Sequence, residues 1–110
     1  MYIDKLGGLT MINQMLEDIK ESIISVIENY PINKAAIFGS YANGLYNEES
    51  DIDILVNFTA PIGMFKFLDL KDTLEMKLNR KVDLLTYKSL ENSYIKEEVL
   101  KGVVEIYAKG

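Results

Sequence analysis

Residues 36–56 read AIFGSYANGLYNEESDIDILV. An apolar run over 35–38 stops at Gly39-Ser40, a polar connection follows, and Asp51-Ile52-Asp53 opens a second apolar run that ends at Val56. Side chains alternate between the two faces of a strand. Asp51 and Asp53 therefore share one face, and Ile52, Ile54 and Val56 share the other. Two like charges this close are unfavourable unless water or a cation compensates them. A glycine-serine turn directly after a strand suits a phosphate, because free backbone N–H groups at a helix start point toward the ligand. The two features together suggest one site for a phosphorylated nucleotide and its metal.

The rest of the composition narrows the chemistry. A chain of 110 residues fits one domain with one modest core. With 48% apolar and 26% charged residues it has the balance of a globular protein, not a disordered one. A net charge of −5 argues against generic nucleic-acid binding, which depends on Lys and Arg neutralising phosphates. There is no cysteine, so disulfides, a thiol nucleophile and zinc–thiolate sites are excluded. There is no histidine, so a Ser-His-Asp triad and a histidine base are excluded as well. Acid–base and metal work falls to carboxylates, lysines, tyrosines and hydroxyls, and hard oxygen ligands favour Mg²⁺, Mn²⁺ or Ca²⁺. No secretory leader is evident, and no apolar run approaches the ~20 residues that span a bilayer. The expected location is the cytoplasm, away from membranes.

Outward from the opening stretch, the periodicity predicts an amphipathic helix over 9–28, with Ile12, Met15, Leu16, Ile19, Ile23, Val26 and Ile27 on one side. Asn29-Tyr30-Pro31 ends it, since the residue before proline disfavours the helical region. A strand over 34–38, a turn with a short helix from Gly39 to about Leu45, and a strand over 51–58 follow. Residues 64–79 carry a second helical stripe of Phe67, Leu70, Leu74 and Leu78. A third strand is expected over 82–87, a helix over 90–101 with Ser89 as its N-cap, and a short strand over 103–107. Gly102 stands where a C-terminal helix glycine belongs. Alternation of this kind implies an α/β (α+β) architecture, a sheet flanked by helices. The connection between the first two strands is too short for an ordinary crossover helix, so antiparallel pairing and a mixed sheet are expected.

Asp83 interrupts the third apolar strand as Asp51 and Asp53 do the second. Three carboxylates from neighbouring strands can converge on one Mg²⁺, whose remaining ligands would be water and nucleotide phosphates. Two such ions suit nucleotidyl transfer, one at the leaving pyrophosphate and one at the attacking hydroxyl. Gly39 lets the backbone approach a phosphate, and Ser40 adds a hydroxyl and an N–H. With no histidine present, Asp83 is the candidate to take the proton of the incoming hydroxyl. Taken singly, these residues have ordinary roles: Asp51 could cap a strand, Asp53 could be solvated, and Ser40 could cap a helix. As a set they favour the site.

Gly39-Ser40, ten residues, then Asp51-Ile52-Asp53 and a later strand acid, Asp83, resembles the signature of the DNA polymerase β-like nucleotidyltransferase superfamily. GSYANG with SDIDILV is similar to its minimal nucleotidyltransferase (MNT) group. These are small proteins, often the antitoxin of a toxin–antitoxin pair with a HEPN-domain toxin. The resemblance implies the polymerase β-like fold in a single domain over 1–110, with an N-terminal amphipathic region over 1–30 and a catalytic core over 34–107. It implies catalytic and metal-binding roles for Asp51, Asp53 and Asp83, and nucleotide binding by Gly39, Ser40 and Asn43. It also implies Mg²⁺ or Mn²⁺ as cofactor, ATP as substrate, and transfer of AMP to a tyrosine hydroxyl of the cognate HEPN-type toxin. Assembly with that toxin or with further copies is compatible with it. Many members carry an arginine where this chain has Asn43, and Lys66, Arg80 and Lys81 are the other cations that could serve. Two alternatives remain open: an antitoxin that acts by binding alone, and nucleotidyl transfer to RNA or a small molecule.

Overall fold

The computed structural model describes residues 16–39 and 51–109. The start of the expected first helix, Ser40 and Asn43 lie outside them. Helix α1 occupies residues 16–27 of this range. Strands β1 (Ile32–Phe38) and β2 (Ile52–Phe58) follow, then α2 (Met64–Leu78), β3 (Val82–Thr86), α3 (Tyr87–Leu90), α4 (Lys96–Lys101) and β4 (Val104–Ala108). The four strands form one sheet in the order β3-β2-β1-β4. β1 pairs antiparallel with β2 and with β4, and β2 pairs parallel with β3. The sheet is therefore mixed, as the short connection after β1 requires.

The alternation read in β2 divides the core between the two faces of this sheet. Ile52, Ile54 and Val56 point to one face, with Ala35 and Ile37 of β1 and Val82 and Leu84 of β3. Against them pack Ile19, Ile23, Val26 and Ile27 of α1 and Leu70 and Leu74 of α2. Leu55 points to the other face, where it meets Ala36, Phe38 and Leu90, with Leu85, Tyr87, Val99 and Val103 at the margin. Each fully buried Ile or Leu contributes roughly 1.5–3 kcal/mol. The exposed Lys20–Glu17 contact on α1, 3.4 Å long, is worth at most about 1 kcal/mol. Burial of the helical stripes thus holds α1 and α2 on the sheet.

Helix α2 is built from good helix formers and ends at Asn79, which takes the left-handed conformation with φ 53°. It carries the chain from β2 back to the start of its parallel neighbour β3. Tyr30, just beyond α1, donates a hydrogen bond from its hydroxyl to Asp69 Oδ2 of α2 at 2.6 Å and so ties the two helices together.

The C-terminal third departs from expectation. A continuous helix over 90–101 is replaced by α3 and α4 with turns between them. The cap of α3 is Thr86, whose hydroxyl accepts the Ser89 N–H at 3.1 Å. Ser89 sits inside the helix and donates its hydroxyl to Thr86 O. Ser93 accepts the Ile95 N–H at 3.2 Å on its side-chain oxygen, offering the backbone a partner outside any helix. Tyr94 is 98% exposed, so no burial opposes the break. Gly102 does cap the C-terminus of α4, its N–H donating to Val99 O, but with φ −113° it is not left-handed. Among the described residues no helix is long and apolar enough to cross a membrane.

Candidate active site

The acids gather at one end of the sheet, where β1 finishes and β2 and β3 begin. Asp53 stands directly opposite Asp83 in the parallel ladder, as Ile52 stands opposite Val82. On its other side Asp53 faces Phe38, the last residue of β1. Asp53 and Asp83 lie in file with Leu55 and Leu85, two residues on, so they extend the smaller apolar layer into a charged end. Asp51 lies one residue outside β2, and the ladder is anchored beside it by the Ile52 N–H, which donates to Lys81 O at 2.9 Å.

Gly39 stands against one member of this pair, Asp53. The glycine has φ +73°, a conformation that side-chain-bearing residues rarely adopt. A Cβ at this position would run into Asp53 Oδ2 and stand 3.1 Å from Asp53 Cγ. Glycine is thus required twice, by the backbone angle and by the carboxylate beneath it.

The electrostatics follow from this crowding. Burial raises the Asp53 carboxyl above the ordinary carboxylate range, and the charges of Asp83 and Asp51 push it the same way. Asp53 is half-buried, whereas Asp51 and Asp83 are exposed. A carboxylate that is desolvated and faced by two like charges is relieved by a bound cation. The donors are hard oxygens, which suit Mg²⁺ or Mn²⁺. Among the described residues no three acidic, histidine or cysteine side chains form a closed metal-binding cluster. The arrangement is an aligned pair, Asp53 and Asp83, with Asp51 at its mouth.

Of the cations considered from sequence, Lys66 lies in the first turn of α2, at the far end of β2 from the acids. Arg80 lines a groove with Asp18, Ile19 and Ser22 of α1. Lys81 is the one whose backbone joins the start of β2. A cavity of about 230 Å³ opens beside the turn, lined by Phe38, Gly39, Glu98, Val99 and Gly102. A larger one, about 440 Å³, lies at the opposite ends of β2 and β3 among Asn57, Phe58, Thr86 and Lys88, and its lining has no carboxylate. Size does not mark the site here; the charge arrangement does. Glu98 and Phe38 border the site without a sequence signal of their own, since Glu98 reads as a solvated helix acid and Phe38 as a core residue.

Comparison with known proteins identifies the family. The family model for polymerase beta nucleotidyltransferases matches residues 21–110. A Methanocaldococcus jannaschii protein, provisionally named a protein adenylyltransferase, is 42% identical over 84 residues, covering 76% of this chain and 98% of its own. The protein adenylyltransferase MntA of Thermococcus cleftensis is 38% identical over 96 residues, covering 83% of this chain and 95% of its own. Among solved structures, a complex of a tri-AMPylated Shewanella oneidensis HEPN toxin with an MNT antitoxin aligns with TM-score 0.67 and 20% identity, over 86% of this chain and 73% of that one. At that identity the likeness concerns the fold.

Proposed function

The chain belongs to the polymerase β nucleotidyltransferase family, and on that premise we propose that it is an antitoxin that transfers AMP from ATP to a tyrosine hydroxyl of a cognate HEPN-type toxin in the cytoplasm. The observation that carries this reading is the Asp53–Asp83 pair in register, with Gly39 against Asp53. Asp53 and Asp83 would hold the divalent cation, Mg²⁺ or Mn²⁺, with Asp51 turning in from the mouth of the pair to join them. Bound there, it would offset the charge of the triphosphate and of the departing pyrophosphate. The cavity beside Gly39 has room for a phosphate against the backbone, and Ser40 and Asn43 follow Gly39 in the sequence. Asp83, the exposed member of the pair, accepts the hydroxyl proton as the tyrosine oxygen bonds to the α-phosphorus. The bond to pyrophosphate breaks, and AMP remains on the acceptor. The names of the adenylyltransferase relatives and the AMPylated toxin in the aligned complex support AMP as the group and a protein as the acceptor.

The test is incubation of the purified chain with α-labelled ATP, Mg²⁺ and its co-encoded partner protein. Label should appear on the partner and be lost with the Asp53→Asn/Asp83→Asn variant. No label, or equal labelling by that variant, overturns the proposal. A second reading, neutralisation by binding alone, draws on the exposed apolar side chains Phe65, Met76 and Tyr94, which are 89%, 83% and 98% accessible. Such residues suit a protein interface. On that reading the double variant still protects cells from the partner.

A further inference from the structure

We propose that Glu75 is a positioning residue for the reaction, holding the start of β3 so that Asp83 stays in register with Asp53; the inference rests on the nucleotidyl-transfer reading above. Glu75 lies in the last turn of α2 and is half-buried, not solvated as its place outside the apolar stripe suggests. Its carboxylate Oε2 accepts the Val82 N–H at 2.9 Å. Its backbone carbonyl accepts the N–H of Asn79 and, at 3.3 Å, that of Arg80. One residue therefore fixes both the end of the helix and the first residue of the strand, across the whole connection between them.

The placement matters because β3 is an edge strand. Among the described residues its only ladder is with β2, and that ladder begins at Ile52–Val82, one residue before Asp53–Asp83. The Ile52 N–H to Lys81 O bond draws this connection toward β2. The Glu75 carboxylate holds the adjoining Val82 amide from the helix side. Without it that amide loses its side-chain acceptor, and the first residues of an edge strand are those that fray most readily. Displacement of a reacting group by about 1 Å can cost on the order of 10²-fold in rate.

The experiment compares Glu75→Gln, which keeps an acceptor oxygen, with Glu75→Leu, which has none but is a good helix former. Glu75→Met guards against a folding defect peculiar to leucine. Steady-state transfer from ATP to the co-encoded partner protein is measured with Mg²⁺, and amide hydrogen exchange is measured on the metal-free chain. Glu75→Leu and Glu75→Met should lower kcat about 10- to 100-fold with the ATP KM within about threefold. They should speed exchange of the Val82 and Asp83 amides by about tenfold or more while Leu55, at the sheet centre, is unchanged. Glu75→Gln should stay near wild type in both. The inference is overturned if the leucine and methionine variants keep wild-type kcat, if the glutamine variant is as impaired as they are, or if Val82 exchange does not change. If the wild type transfers nothing, it is the transfer reading that falls, and the exchange measurements alone decide whether Glu75 holds the strand.

Discussion

Replacing Gly39 with alanine tests the site at its tightest contact. Two costs add. The first is the left-handed backbone at φ +73°, roughly 1–2 kcal/mol for a residue with a Cβ. The second is the collision of that Cβ with the Asp53 carboxylate, which must leave its rotamer at about 0.5–1.5 kcal/mol. The sum is roughly 1.5–3.5 kcal/mol, or about 6–28 °C in Tm for a domain near 100 residues. The two costs separate on an Asp53→Ala background. There only the Asp53 Cβ remains, 3.5 Å away and in ordinary contact, so the collision disappears and the backbone cost stays. Urea melts of the four proteins should therefore give a coupling of about 0.5–1.5 kcal/mol between the positions. Labelled-ATP transfer by Gly39→Ala should fall on the order of 10²-fold, because the displaced carboxylate is one of those proposed to hold the cation at the reacting phosphate. An equal stability cost of Gly39→Ala in both backgrounds would refute the claim that this glycine is dictated by the carboxylate beneath it.

Three further expectations concern separate parts of the molecule. Asp53→Asn should abolish transfer yet raise Tm at neutral pH. Because the folded-state pKa of Asp53 is raised, its favourable contribution is complete only below the ordinary carboxylate range and is lost as pH climbs through the raised value. The Tm gain of the variant should therefore fade in acid, and a gain that grows on acidification contradicts the assigned crowding. Thr86→Ala removes the cap of α3 and should cost about 1 kcal/mol in urea melts; the loss should be far smaller for Thr86→Ser, which keeps the hydroxyl. Leu74→Ala, at a fully buried position between α2 and the sheet, should cost about 2–5 kcal/mol by calorimetry and lower the partner-labelling rate only at temperatures where unfolding begins.

Much of the site could be read from the chain because its logic is local. Period two across residues 51–56 placed Asp53 opposite in direction to Ile52 and Ile54, and the structure keeps that division. The stripe of Leu70 and Leu74 marked α2, and both are buried as its period requires. The short connection after β1 foretold antiparallel pairing. What escaped depends on contacts between distant segments. Ile32 extends β1 past the expected start because it packs under α1, which a run of mixed polarity does not disclose. The break between α3 and α4 turns on Ser93 bonding to its own backbone in competition with the helix. The exact pairing of Asp53 with Asp83 is a matter of register, set by the crossover helix and its anchor at Glu75, and no spacing in the sequence encodes it. Sequence showed which acids to suspect; the ladder shows which two stand side by side.

The division of the core between two faces also bears on redesign. The larger layer, under α1 and α2, contains no acid of the site and could be repacked for thermostability with little effect on chemistry. Among the described residues the smaller layer is a group of four, Ala36, Phe38, Leu55 and Leu90, of which Phe38 faces Asp53 and Leu55 follows it on the same strand face. A swap there shifts the floor on which the carboxylates rest. Directed-evolution libraries aimed at a new acceptor would find their leverage in those four positions, and libraries aimed at robustness would find theirs on the opposite side of the sheet.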